Sequence, residues 1–223
     1  MGKKKLLLII IVLFIFSCKV EAQFSDRFGV NLILSASKQN IQGNPHFIDE
    51  YENYKYEASC SYSNGFGIFY DIYKTNHFDI SINFEYITRG TEVYYPIYLN
   101  FGYGPLAKTF NKINYLSAPI IGKIKLNHSN YNYHLLLGLR GDLKISYRSD
   151  YLEEYYKEAS DFQFGVILGF ECEMKISDYL TILPGLKYNV DLSNSIEKYG
   201  LKFKNKSIDF SMGIRILKKL IVF

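Results

Sequence analysis

Polar and apolar residues alternate along most of this chain with a period of two. The last such segment is the clearest: Ile208, Phe210, Met212, Ile214 and Ile216 alternate with Asp209, Ser211, Gly213 and Arg215. Between 180 and 192 the apolar set is Leu180, Ile182, Leu186, Tyr188, Val190 and Leu192, and Thr181, Gly185, Lys187, Asn189 and Asp191 take the other parity. Phe162, Phe164, Val166, Leu168 and Phe170 alternate with Gln163, Gly165, Gly169 and Glu171. Leu135, Leu137, Leu139, Leu143 and Ile145 alternate with Gly138, Arg140, Asp142 and Lys144. Successive side chains of a strand point to opposite faces, so each segment predicts a strand with one apolar and one polar face. No segment carries a sustained helical period with caps, and no internal repeat is evident.

Continuing in this way predicts eight strands, at about 26–37, 62–73, 78–89, 113–126, 132–148, 162–175, 179–192 and 206–217. The connections alternate in length. Residues 38–61, 90–112, 149–161 and 193–205 are long, whereas 74–77, 127–131 and 176–178 are short and rich in Thr, Asn, Ser and Asp. An even strand count with that rhythm predicts an all-β, eight-stranded, antiparallel, up-and-down transmembrane β-barrel with long outer loops and short periplasmic turns. Pro119 and Pro184 fall inside strands, and each is expected to force a bulge.

A soluble barrel with its apolar face inward would show the same period. The glycines decide between the two. Gly29, Gly65, Gly67, Gly138, Gly165, Gly169, Gly185 and Gly213 all share the polar parity. Small residues alternating with long charged ones suit the narrow interior of an eight-stranded barrel. The bulky apolar parity then faces lipid. Aromatics gather near the proposed rims, with Tyr131, Tyr133 and Tyr179 at the turns and Tyr147, Tyr188 and Phe162 toward the loops, as expected of interfacial belts.

The N-terminus predicts export. Lys3, Lys4 and Lys5 precede an apolar run from Leu6 to Phe16, and Val20-Glu21-Ala22 offers a cleavage site before Gln23. Residues 1–22 therefore read as a secretory signal peptide and 23–223 as the barrel domain, placed in the outer membrane of a Gram-negative cell. Cys18 gives a weaker alternative, a lipoprotein site, which Phe16 fits poorly. The net charge of +4 belongs mostly to the signal lysines, so nothing asks for a nucleic-acid partner. Two cysteines remain beyond it, Cys60 and Cys172, too few and too far apart for a disulfide framework.

Asn114-Tyr115-Leu116-Ser117-Ala118-Pro119-Ile120-Ile121-Gly122-Lys123 resembles a characteristic strand of the PorT-like outer-membrane β-barrel family. Asp161 to Gly165, Gly169-Phe170-Glu171, Leu186 to Asn189, Leu192-Ser193-Asn194 and Lys204-Asn205-Lys206 follow in the family's order. The resemblance implies an outer-membrane barrel, accounts for Pro119, and includes roles in protein secretion and surface export among diverse ones. It also implies an inward Glu where this chain has Ser117.

The polar parity carries Arg27, Lys123, Lys125, Arg140, Lys144, Lys187 and Arg215 beside Asp71, Asp79, Glu85, Asp142, Glu171, Glu173, Asp191 and Asp209. Near balance predicts a lumen plugged by paired charges, with Glu85, Lys123, Arg140, Asp142, Lys144, Glu171, Lys187, Asp209 and Arg215 as its core network. Tyrosines stud the outer loops: Tyr51, Tyr54 and Tyr56 in the first, Tyr94, Tyr95, Tyr98 and Tyr103 in the second, Tyr151, Tyr155 and Tyr156 in the third. The second and third sets are a candidate surface for a protein or glycan, because Tyr gives large, rigid, amphipathic contact area. No nucleophile–base–orienter set or metal-ligand spacing appears, and His46 beside Asp49 and Glu50 is the sole outer-loop histidine, His77 and His128 falling in the periplasmic turns. The expectation is a monomeric, non-enzymatic barrel without a cofactor, surrounded by outer-membrane lipid and having a structural or binding role. The alternatives are an accessory part of a secretion assembly and a lipid-modifying enzyme.

Overall fold

In a computed structural model the described residues are 27–42, 57–99, 102–128, 131–149, 157, 159–198 and 201–216. The signal region 1–22, the tyrosines of the first loop, and Tyr151, Tyr155 and Tyr156 lie outside them.

The regular elements are strands: β1 (Phe28–Gln42), β2 (Glu57–Lys74), β3 (Phe78–Leu99), β4 (Gly102–His128), β5 (Tyr131–Ser149), β6 (Phe162–Ser177), β7 (Leu180–Asp191), β8 (Ile196–Lys198) and β9 (Leu201–Ile216). Each strand from β1 to β6 pairs antiparallel with the next, β7 pairs with β9, and β9 returns to β1. The β1–β9 ladder runs from Gly29↔Arg215 to Gln42↔Lys202, so the sheet closes and no main barrel strand is left at an edge. The short β8 folds back on β9 outside the eight-stranded ring. Eight antiparallel barrel strands were the expectation from the sequence, and they are what the chain forms.

Side-chain chemistry at the turns explains why these strands reverse where they do. Thr75 donates its hydroxyl to the Phe78 carbonyl at 2.6 Å and accepts the Phe78 amide at 2.9 Å. Ser177 caps the β6–β7 turn by accepting the Tyr179 amide at 3.2 Å. Such short hydroxyl-bonded turns hold neighbouring strands in one register.

Three sequence expectations need correction. Residues 90–112 do not form a loop, because β3 and β4 stay paired up to Leu99↔Gly102. Among the described residues β2 accompanies β3 as far as Tyr94, and β5 accompanies β4 as far as Asn111. A two-stranded hairpin therefore projects beyond the other described residues of that rim. Its Tyr, Val, Ile and Thr residues favour strand as readily as loop. The 193–205 connection likewise contains the β8–β9 pairing.

Pro119 and Pro184 cause no bulge. Pro119 stays in register opposite Arg140, and Pro184 opposite Met212. On the other flank the pairing around each proline is interrupted but resumes in the same register, from Ile82↔Ile120 to Glu85↔Ser117 and from Glu171↔Gly185 to Met174↔Ile182. One missing N–H costs a ladder bond without demanding an extra residue. The register shifts occur elsewhere, among them at Asn114/Tyr115 and Pro96/Tyr98.

The Asn114/Tyr115 shift gives β5 an extra residue near Ile145, and this reverses the facing of the strand above it. Tyr147, expected in an outward aromatic belt, packs instead against the interior apolar cluster.

Candidate functional site: the barrel interior

The interior is built from the polar parity of every strand. Gly29, Asn31, Ser35 and Ser37 face it from β1, Asp79, Ser81, Asn83 and Glu85 from β3, and Gln163, Gly165 and Glu171 from β6. Outside, Leu32, Leu34, Phe66, Ile120, Leu137, Leu139, Phe164, Leu168, Leu186, Ile208 and Phe210 are exposed.

Toward the loop end the interior charges form a chain across the barrel. Arg89 of β3 pairs with Asp142 of β5 at 2.7 Å. Arg140 of β5 pairs with both Asp142 and Asp191 of β7. Asp191 also accepts the Asn205 backbone amide at 2.9 Å and its side-chain amide at 2.7 Å. Gln163 donates to the Tyr115 hydroxyl at 2.9 Å, and the Arg89 guanidinium lies 5.9 Å from the Tyr115 ring centre. Arg140 has room because residue 165 is Gly: a Cβ there would meet its Nε at 2.7 Å.

Further in, Lys187 reaches Glu85 at 3.4 Å, and Asn83 donates to the same carboxylate oxygen at 3.0 Å. Asp209 accepts Ser35 at 2.6 Å and Asn189 at 2.7 Å. Ser117 is buried directly opposite Glu85 on β3 and Asp142 on β5.

Toward the turn end Lys123 lies 2.9 Å from Glu171 and 3.8 Å from Asp71. Arg215 pairs with Asp71 at 2.5 Å and with Glu173 at 3.2 Å. The buried His134 ring stands between Glu171 (3.5 Å from Nδ1) and Glu173 (3.9 Å from Nε2). Lys123 and Arg215 both lie over the Phe69 ring, at 5.4 and 5.5 Å. Lys125 meets Asp79 at 2.9 Å near the Thr75 turn. Lys144 is higher, donating to the Ala159 carbonyl and lying 3.5 Å from Asp161.

The interior is not only polar. Ile33, Ile87, Ile113, Tyr115 and Phe203 are buried together with Ala159 and Ile196, which come from the outer connections. Ser160 donates its amide to the Ser195 carbonyl at 2.8 Å, and Ser195 donates its own to Phe203 at 2.7 Å, tying those two connections together over the cluster. A second group joins Ile121, Leu136 and Ile167.

Each charged residue expected inside therefore has a place, with one exception. Arg27 sits at the turn-end rim and donates to the Ile72 carbonyl at 3.3 Å. Reading the sequence missed Arg89 and His134. Parity would have found both, since Arg89 continues Glu85 and Ile87, and His134 precedes Leu136 and Gly138 on the inward set. The interior apolar residues Ile87 and Leu136 share that parity but do not stand out by residue type. Of the tyrosines expected to form a docking surface, Tyr94, Tyr95, Tyr98 and Tyr103 lie on the projecting hairpin. Among the described residues no cluster of His, Cys, Asp and Glu is arranged to hold a metal ion.

A family model described as outer membrane protein beta-barrel domain matches residues 21–197. Among curated proteins, none matches the sequence significantly. The chain is similar to the solved structure of Neisserial surface protein A, with 12% identity, 85% of this chain and 96% of that chain covered, and a TM-score of 0.46. It is also similar to outer membrane protein OprG from Pseudomonas aeruginosa (8%, 86% and 97%, TM-score 0.45). A third similar structure is outer membrane protease OmpT from Escherichia coli (8%, 86% and 97%, TM-score 0.41).

Proposed function

The chain belongs to the outer membrane protein beta-barrel domain family, and we propose that it serves there as a closed, non-conducting barrel with a structural or binding role. It is located in the outer membrane, so its exposed Leu, Ile and Phe rows meet lipid.

One observation carries the reading. The Arg89–Asp142–Arg140–Asp191 chain spans the interior from β3 to β7, alongside an apolar cluster to which Ala159 and Ile196 contribute. Paired, hydrogen-bonded charges can be tolerated where isolated ones cannot. An eight-stranded barrel has just enough interior for its own side chains, so this filling leaves no aqueous path. On this reading the barrel carries out no chemistry, and its contacts with other molecules are made outside. The projecting hairpin with Tyr94, Tyr95, Tyr98 and Tyr103, together with Tyr151, Tyr155 and Tyr156, is the surface we assign to a protein or glycan partner. The PorT-like resemblance of the Asn114–Lys123 strand supports a narrower placement among such barrels.

Planar-bilayer recording of the full barrel tests the closed interior. The expected record has no discrete current steps. Reproducible openings altered by Arg140→Ala would overturn it. Serine at Tyr94, Tyr95, Tyr98 and Tyr103 should abolish crosslinking of the partner recovered with the native barrel, and unchanged crosslinking would remove the hairpin from the proposal.

A further inference from the structure

We propose that the outward wall of β1 and β9 binds the phosphate of a phosphorylated glycolipid in the outer leaflet, through Lys38, Lys204 and Lys206. Outward positions on β1 run Phe28, Val30, Leu32, Leu34, Ala36 and then Lys38. Those on β9 run Ile216, Ile214, Met212, Phe210, Ile208 and then Lys206. The two series are paired row by row, ending with Ala36↔Ile208, Lys38↔Lys206 and Asn40↔Lys204, with the apolar-to-basic change falling inside the same ladder.

Position relative to the membrane follows. The first strand begins and the last one finishes at the Phe28/Ile216 end, where the short turns also lie, which makes that end periplasmic. From Phe28 to Ala36 the strand advances about 27 Å. At a tilt near 40° this covers about 20 Å of bilayer, close to the height of an apolar band. Lys38 and Lys206 thus form the first polar row above the outer leaflet's acyl chains, where headgroup phosphates lie.

The row is also electrostatically unusual. Two ammonium side chains stand directly opposite each other, an arrangement that destabilises a sheet because the Cβ atoms are only about 5 Å apart. Lys204 adds a third charge two residues along the same face. The neighbouring strands supply no compensation in register: β7 sets Val190 opposite Lys206, and β1 sets Asn40 opposite Lys204. The acidic residues close by take the inward parity, Asp191 next to Val190 and Asp209 three residues from Lys206, and Glu197 stands opposite Lys202. An anion seated between Lys38 and Lys206 turns the repulsion into attraction, and lysine binds phosphate as a point charge. Leu34, Ile208 and Phe210 directly below offer the apolar track along which the same molecule's acyl chains would lie. That combination favours a lipid over a soluble polyanion.

The test uses the full barrel in phosphatidylcholine vesicles, alone or with bis-phosphorylated lipid A, with dephosphorylated lipid A, or with free inorganic phosphate. The readout is the urea midpoint of unfolding. Bis-phosphorylated lipid A should raise the midpoint, and the other two additions should not. The variant combining Lys38→Gln, Lys204→Gln and Lys206→Gln should need at least tenfold more lipid A for the same rise, while folding as well as the parent in phosphatidylcholine alone. Lys175→Gln, at the periplasmic rim, should respond like the parent. If the triple variant fails to fold, Lys38→Gln and Lys206→Gln are measured singly, each expected to weaken the response severalfold. An undiminished response in these variants overturns the site. So does an equal effect of dephosphorylated lipid A, which would leave only acyl-chain contact, or of inorganic phosphate, which would leave no lipid specificity.

Discussion

Leu137 and Leu139 on β5 are 60% and 64% exposed, whereas Arg140 and Asp142, one and three residues beyond Leu139, are 2% and 0% exposed. In water that distribution would be inside out. Here the strand has two solvents: lipid on one side, and a wall of countercharges on the other. The outward face is held by a non-directional preference for apolar surroundings, so many residues would serve. The inward face is held by specific pairs, so each member depends on its partners.

The largest expected effect follows from that difference. Asp142→Asn leaves Arg89 and Arg140 sharing less negative charge in a buried place, and should cost about 3–5 kcal/mol in urea unfolding of the vesicle-embedded barrel. A loss near zero would mean that the interior pairs are interchangeable with solvent. Next comes the outward face. Leu137→Arg, in the row where Leu137 stands opposite Leu168, should cost about 2–4 kcal/mol near the bilayer midplane by the same measurement. Equal stability to the parent would show that this face does not meet lipid.

Gly165→Val sharpens the contrast. Its side chain would enter the space held by the Arg140 guanidinium, so overpacking of about 1–3 kcal/mol is expected. The nearby outward change Phe164→Leu should be far milder. The smallest effect belongs to the rim. Lys175 and Asp178 form an exposed pair at 3.0 Å, and Lys175→Ala should move stability by less than about 1 kcal/mol.

The two faces also differ in how well the sequence reveals them. Period-two alternation exposed the lipid side of β5 from Leu135 to Leu143 directly, and it set the strand count and the closure of the ring. It failed above Ile145, where an extra residue inverts the facing and Tyr147 turns inward. A one-residue shift leaves no mark in composition. Ending a strand at Arg89 hid the fact that β3 continues to Leu99, because a Tyr-rich segment suits either a loop or a paired strand. The interior apolar residues were hidden for a different reason. Ile87, Ile113 and Leu136 share the inward parity with Glu85, Lys123 and Gly138, but they are chemically the same as outward residues, so residue type does not mark them as interior. Charged residues were easier to place because lipid excludes them from one face. Which charge meets which depends on distances across the barrel, such as Arg89 to Asp142, that no local pattern encodes.

The most direct test of the two-faced wall uses the absence of tryptophan from the natural chain. A single tryptophan introduced as Leu137→Trp is then the only indole in the protein, placed on the lipid-facing row. In vesicles containing phosphatidylcholine brominated near the chain ends, its fluorescence should be strongly quenched, while the Leu136→Trp variant, one residue away and facing inward, should be quenched far less. Equal quenching at the two positions, or none at 137, would contradict a barrel whose apolar face lies in the membrane.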